Sequence, residues 1–332
     1  MKTIKLNDAM ESDVVVERGV LSRSDEYLNL ARRVLVLTDR EIPKEYVDEI
    51  CLKCLYPVRV AAWPGEDVNS IENYQNLCRV MLENSFSEKD CVVAVGGERI
   101  LQLGGFLAAT YKGGVDYYCV PTTFSAQIGN GFFGKSFISC AKTPGALGAQ
   151  KLPKRVLVDA KLLETLPQRK MSNGYAEVIK LALAVDKKMF DFLEKDDLFR
   201  DKSTDFIVLR SLEVKNYIYR NSKTNPDPVN ALKLGALVAD GMQKTQFSYG
   251  ERLAIGMIPM CAPEIRPRLR ALLAKVGLPV VWQYDVEKLF RDSLRGKELE
   301  RVPVVLCNEI GKAHSDSLTI PEYHKLLKET YG

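Results

Sequence analysis

Histidine is scarce in this chain. Of 332 residues only His314 and His324 are histidines, both close to the C-terminus. A histidine base or a histidine-rich metal centre in the body of the chain is thereby excluded. Long apolar runs are missing too: no eighteen consecutive apolar residues occur, so no segment reads as a membrane-spanning helix. The opening MKTIKLNDAMESDVVVERG has no apolar stretch of signal-peptide length, which predicts a cytoplasmic chain. Charge of one sign is also lacking. Lys and Arg number 47 against 43 Asp and Glu, a net charge of +4, and the basic residues form no block, so neither nucleic acid nor a membrane is expected as a partner. The eight cysteines sit singly in apolar runs such as Tyr118-Cys119-Val120. Cys51-x-x-Cys54 has no second pair to complete a zinc site, so core thiols are expected.

What remains is an ordinary globular composition of a length that suggests two domains. RVLVLTD (33–39), VRVAAW (58–63), CVVAVGG (91–97), VDYYCVPTT (115–123) and RVLVDA (155–160) read as buried strands. Helical patterns lie between them at 70–83 and 98–111. This alternation predicts an α/β domain with a parallel sheet over residues 1–160. Amphipathic helical spacing then takes over at 173–195, 203–222, 229–247, 251–260 and 264–275, with one late hairpin strand in 302–314. Residues 161–332 are therefore expected to form a mainly α-helical domain.

Two glycine-rich stretches invite a phosphate reading. GNGFFGKS (129–136) matches G-x-x-x-x-G-K-[ST] letter for letter. A triphosphatase loop needs a strand before it and a long helix after it. Here PTTFSAQI precedes and SFISCAKTPG follows, and neither fits. VGGERILQLGGF (95–106) is better placed, because its glycines follow a strand and open a helix, as a pyrophosphate site requires.

Longer stretches carry a resemblance. VGGERILQLGGFLAATYKGGVDYYCVPTTFSAQ (95–127) and RVLVDAKLLETLPQRKMSNGYAEVIK (155–180) are similar to 3-dehydroquinate synthase in order and spacing. YGERLAIGM (249–257), VLTD (36–39), PGE (64–66) and RSLEVK (210–215) extend the match over most of residues 30–260. The resemblance is to the sugar phosphate cyclase group, and GNGFFGKS falls on its Gly-Lys substrate loop. It implies an N-terminal NAD domain, a C-terminal helical domain, an active site in the cleft and a homodimer. It also implies transient oxidation of a phosphorylated sugar by NAD, phosphate elimination and aldol closure, with a zinc ion held by one Glu and two His.

Position by position, the resemblance puts the metal carboxylate on Glu177 and substrate or catalytic lysines on Lys135, Lys180 and Lys215. The nucleotide contacts fall on Asp39, Glu66, Gly96, Gly97, Thr122, Thr123 and Thr165. Much of the other side is changed. The two histidines of the G-H…G-H motif are Ala236 and Asp240, and His-Gly-Glu has become Tyr249-Gly250-Glu251. Gln102 and Gly129 replace aspartates, Pro144-Gly145 a Lys-Asn pair, Val229 and Lys233 an Arg and an Asn, and Gly113 an arginine next to Lys112. Asp-Lys-Lys reads Asp292-Ser293-Leu294. NAD is the expected cofactor. Zinc is not expected, and Glu177, Asp240 and waters leave room only for a weak magnesium or manganese site. Three functions follow: a pseudoenzyme that keeps its nucleotide pocket, an NAD-dependent enzyme with altered chemistry on a phosphorylated sugar or polyol, or an active 3-dehydroquinate synthase of the shikimate pathway to the aromatic amino acids.

Overall fold

The apolar runs of the first half form the interior of one sheet. The computed structural model describes residues 1–6, 12–62, 68–141, 143–198, 200–281, 285–296 and 299–331. Glu66 lies outside the described residues. Two compact units follow along the chain, Met1–Leu166 and Pro167–Gly332.

The first unit runs β1 (Lys2–Lys5), β2 (Asp13–Val16), α1 (Ser24–Tyr27), β3 (Arg33–Thr38), α2 (Lys44–Cys51), β4 (Tyr56–Ala61), α3 (Ile71–Glu83) and β5 (Cys91–Gly96). It continues with α4 (Glu98–Thr110), β6 (Asp116–Pro121), α5 (Phe124–Gln127), β7 (Lys135–Cys140), β8 (Thr143–Gln150) and β9 (Arg155–Val158). Seven strands form a sheet in the order β1-β2-β9-β6-β5-β3-β4. Every pairing in it is parallel except β1 with β2. The five expected strands are β3, β4, β5, β6 and β9.

Val34, Val36, Val93 and Val95 join Val47 and Ile50 of α2 in one cluster. Their strand neighbours Leu35, Leu37, Val92 and Ala94 point to the opposite face and are equally buried. Burial on both faces is what a parallel sheet covered by helices requires. Each such side chain contributes about 1.5–3 kcal/mol relative to exposure.

Two hairpins were not expected from sequence. β1–β2 extends the sheet beside β9. β7–β8 is a separate antiparallel pair, and β8 reads TPGALGAQ, exposed along nearly its whole length. Its small residues and proline carry little strand propensity.

The second unit contains α6 (Gln168–Val185), α7 (Lys187–Lys195), α8 (Asp201–Arg220), α9 (Asp227–Ala231), α10 (Ala236–Gly241), α11 (Tyr249–Met260), α12 (Arg266–Lys275) and α13 (Val286–Ser293). The chain ends with β10 (Arg301–Leu306), β11 (His314–Thr319) and α14 (Ile320–Tyr331). β10 and β11 form the late hairpin. The single helix expected over 229–247 is corrected. The segment breaks into short α9 and α10, with Gly235 between them at φ 77°, in the left-handed region that ends helices.

Cys51 and Cys54 pack against the core cluster of the first unit. Burial pushes the Cys54 thiol up to about 12, and its Sγ donates to the Ile50 carbonyl. Among the described residues, no helix is long and apolar enough to cross a membrane.

Candidate functional site

In the first unit the chain leaves β3 for β4 on one side and returns to β5 on the other. That reversal makes the β3/β5 boundary a topological switch point, where open parallel sheets take ligands at the carboxyl ends of their strands. Asp39 follows β3, Gly96 ends β5 with Gly97 next to it, and Thr122 and Thr123 follow β6. Five of the predicted nucleotide positions thus lie along one edge of three adjacent strands.

Local structure there suits an anion. Gly97 is the N-cap of α4, a 13-residue helix, and no side chain caps it. The first N–H groups of α4 therefore have no capping side chain, and the helix dipole favours negative charge in front of them. A Cβ on Gly96 would stand 2.7 Å from Ile100 Cβ, and one on Gly97 3.3 Å from Thr123 Cγ2. Glycine keeps this turn low against the sheet. Asp39 Oδ1 accepts from the Glu41 amide at 2.8 Å, which holds the carboxylate at the strand end. Thr122 is 2% exposed, and its Oγ1 has no hydrogen-bond partner among the described residues. Thr123 differs, since its Oγ1 caps α5 by accepting from the Ala126 amide at 3.3 Å.

Thr165 stands apart in a 3-10 turn after β9. Its hydroxyl donates to the Leu162 carbonyl at 3.2 Å and lies 2.9 Å from Tyr46 Oη. Gln127 was not singled out by sequence. Its Nε2 donates to the carbonyls of Pro121 and Asp159 at 3.2 and 2.6 Å, which ties the ends of β6 and β9 together. Its only sequence signal is a lone amide in the small and apolar run FSAQI.

The GNGFFGKS stretch is a series of turns in which Gly129, Gly131 and Gly134 have positive φ, and β7 starts at Lys135. No helix follows, so the triphosphatase geometry is absent. Lys135 is exposed at the head of β7. Lys112 gives its ammonium to the Phe86 carbonyl at 2.8 Å. Gln102 Nε2 donates to Glu98 Oε1 at 3.0 Å.

In the second unit, Glu177, Lys180 and Lys215 are buried at 4%, 8% and 3% exposure. Lys180 Nζ lies 2.8 Å from Glu177 Oε2, one turn along α6. Lys215 is on α8, one turn after Ser211, whose buried Oγ has no partner among the described residues. Tyr249 opens α11 and is 46% exposed. Ala236 opens α10, and Asp240, near its end, is exposed. These helices touch. A Cβ on Gly250 would stand 2.5 Å from Asn173 Cα on α6, and one on Gly256 would strike the Gly235 carbonyl oxygen at the start of α10.

The zinc donors do not fit. Catalytic zinc takes about three protein ligands, and the positions carried over offer one carboxylate, a methyl group and a phenol. Among the described residues, no cluster of three His, Cys, Asp or Glu stands ready for a metal.

The family model for the N-terminal region of 3-dehydroquinate synthase matches residues 59–173. A 3-dehydroquinate synthase of Caulobacter vibrioides (strain NA1000 / CB15N) is 30% identical over 335 residues, covering 92% of this chain and 88% of the relative. The chain belongs to the 3-dehydroquinate synthase family. Solved structures agree in fold. A 2-deoxy-scyllo-inosose synthase complexed with carbaglucose-6-phosphate, NAD+ and Co2+ superposes with TM-score 0.87 at 18% identity, covering 99% of each chain. The 2-epi-5-epi-valiolone synthase of Streptomyces hygroscopicus subsp. jinggangensis 5008, with NAD+ and Zn2+ bound, gives 0.83 at 18% identity, covering 96% of each.

Membership in the 3-dehydroquinate synthase family gives the surviving letters of Tyr249-Gly250-Glu251 a structural account. Gly250 permits the close approach to α6. Glu251 closes a capping box with Ser248 and takes a two-pronged ion pair from Arg169, at 2.8 and 2.6 Å. The Arg169 hydrogen bonds, ahead of those from Ser248, hold its carboxyl below the usual glutamate value. Of the three, only Tyr249 falls where the resemblance expects a metal histidine.

Proposed function

We propose that this chain is a nucleotide-binding member of the 3-dehydroquinate synthase family that has lost the zinc-dependent elimination and cyclisation. The observation that carries the reading is the donor set: Ala236 and Tyr249 stand where metal histidines are expected, and Glu177 is held by Lys180. The surviving carboxylate pairs with an ammonium, and among the described residues no cluster of three His, Cys, Asp or Glu completes a metal site around it.

NAD is the nucleotide proposed. Asp39 would accept ribose hydroxyls, the turn at Gly96-Gly97 and the start of α4 would receive the pyrophosphate, and Thr122 would give its unused hydroxyl to the ligand. Glu66, Thr123 and Thr165 are assigned to this side by family position alone. Bound NAD would supply hydride acceptance at a substrate hydroxyl. Two proteins alike in fold hold NAD+ in their solved structures, which supports the assignment. Calorimetry with NAD, NADP and ADP-ribose tests it: saturable heat from NAD is expected, and no heat from any of the three would remove it.

A second reading is favoured by one observation. Burying an ammonium is costly, yet Lys180 and Lys215 are both buried on the metal-side helices. Such groups suit a phosphorylated sugar or polyol. Lys135 is assigned to the substrate by family position alone. Altered NAD-dependent chemistry on such a substrate is the alternative. Activity as a 3-dehydroquinate synthase in the shikimate pathway is the third reading, supported by the names of the relatives. Phosphate release from 3-deoxy-arabino-heptulosonate 7-phosphate, with NAD and zinc, cobalt or manganese in turn, separates these readings. No release under any metal is expected, and release at an enzymatic rate would overturn the loss of activity. A homodimer in the cytoplasm completes the proposal, and sedimentation equilibrium tests the dimer.

A further inference from the structure

Tyr249, Arg252 and Gly256 of α11 share the stripe that faces α10, at helical spacing. Gly256 sets the approach, since a Cβ there would collide with the Gly235 carbonyl and stand 3.2 Å from the Ala239 amide. Between these levels, the Arg252 guanidinium lies 5.8 Å from the Tyr249 ring centroid. Its Nη1 donates to the Ala239 carbonyl at 3.4 Å, which is long for a hydrogen bond.

That weak bond is the only one Arg252's side chain makes among the described residues. Among those residues its Nε is buried without a partner, and no carboxylate pairs with it. Glu251, the adjacent acid, is committed to Arg169 and Ser248. Asp240, next to Ala239, is exposed and forms no ion pair with a described residue. Arg252 also sits in the first turns of a 12-residue helix, where the helix dipole disfavours a cation. A buried unused donor and the dipole both oppose a guanidinium here, and an anion would offset both.

We propose that Arg252 forms an oxyanion site in which a guanidinium takes over the charge that the family's metal supplies. The ligand is a small molecule presenting a carboxylate or phosphate. Two oxygens match the planar fork of Arg, and the Tyr249 ring keeps that fork in place by cation–π stacking. This site rests on the reading that Ala236 and Tyr249 hold no metal.

The test is thermal unfolding of the wild type, Arg252→Gln and Arg252→Lys against inorganic phosphate and against malonate, with ionic strength held constant by chloride. The wild type is expected to gain melting temperature saturably with at least one anion. Without anion, R252Q is expected to melt at or above the wild type and to lose the saturable gain, while R252K keeps less than half of it. A response to phosphate alone or to malonate alone identifies the headgroup, and either supports the site. An undiminished response in R252Q would place the anion elsewhere and overturn it. If R252Q does not fold, the Arg252 Nε–H resonance, assigned by its loss in R252K, must shift with the midpoint of the wild-type thermal response; a stationary resonance overturns the site. Zinc content is measured on the same preparations. Stoichiometric zinc would remove the underlying reading, whereas zinc-free protein with no anion response would remove the oxyanion site alone.

Discussion

Lys180 Nζ lies 2.8 Å from Glu177 Oε2, and both side chains are almost fully withdrawn from water. A buried pair adds little over an apolar pair of the same volume, but removing one partner strands the other charge. Lys180→Met and Glu177→Gln are each expected to lower the unfolding free energy by about 3–5 kcal/mol. The double variant should lose much less than their sum. Urea unfolding of all four proteins gives the coupling, and additive losses would show that the two groups do not depend on each other.

Thr122 separates stability from binding. Its buried hydroxyl makes no hydrogen bond among the described residues, so Thr122→Val removes no protein–protein bond. The unfolding free energy should stay within about 0.5 kcal/mol of the wild type or rise. If the hydroxyl serves the nucleotide, NAD affinity should fall about fivefold to tenfold, or ~1–1.5 kcal/mol. Calorimetry and urea unfolding read the two quantities. Unchanged affinity would remove Thr122 from the pocket.

Glu251 predicts a pH dependence. Hydrogen bonds from Arg169, and then from Ser248, hold its folded carboxyl below the ordinary value. A depressed carboxyl contributes stability that is present above its unfolded pKa and is lost as pH falls through the folded pKa. Glu251→Gln should therefore cost most near neutrality, about 1–2 kcal/mol for the cap and its ion pair. The gap from wild type should close below the usual glutamate range. Melting curves across pH for both proteins test this, and a gap that widens on acidification would contradict it.

The legible and the hidden parts of this chain divide by mechanism. β3, β5 and β6 were legible because a sheet buried on both faces needs continuous apolar runs such as RVLVLT and CVVAVG. The strand-end residues Asp39, Gly96, Gly97, Thr122 and Thr123 follow those runs directly, so a correct strand reading places them together. β8 was hidden because an exposed strand of small residues has no pattern to declare it. The break at Gly235 was hidden because a glycine inside a helical spacing reads as tolerated until the neighbouring helix is known. Arg252 and Gln127 were missed for a related reason. Gln127 Nε2 joins the carbonyls of Pro121 and Asp159, and Arg252 Nε has no partner among the described residues; spacing reveals neither.

Gly256 tests how far surviving family letters speak for chemistry. A Cβ there would meet the Gly235 carbonyl oxygen, and Gly235 has φ 77° and cannot easily yield. Backbone on backbone leaves no flexible side chain to move aside. Gly256→Ala should therefore cost more than the usual 1–3 kcal/mol of overpacking, or abolish folding of the second unit. Urea unfolding monitored by tyrosine fluorescence would measure it. If the loss is that large, the glycines of LGALVAD and YGERLAIGM are retained by α10–α11 packing, and their presence says nothing of catalysis. If Gly256→Ala is as stable as the wild type, packing does not explain the glycine. The reading of this face as structurally kept but chemically altered would then lose its main support.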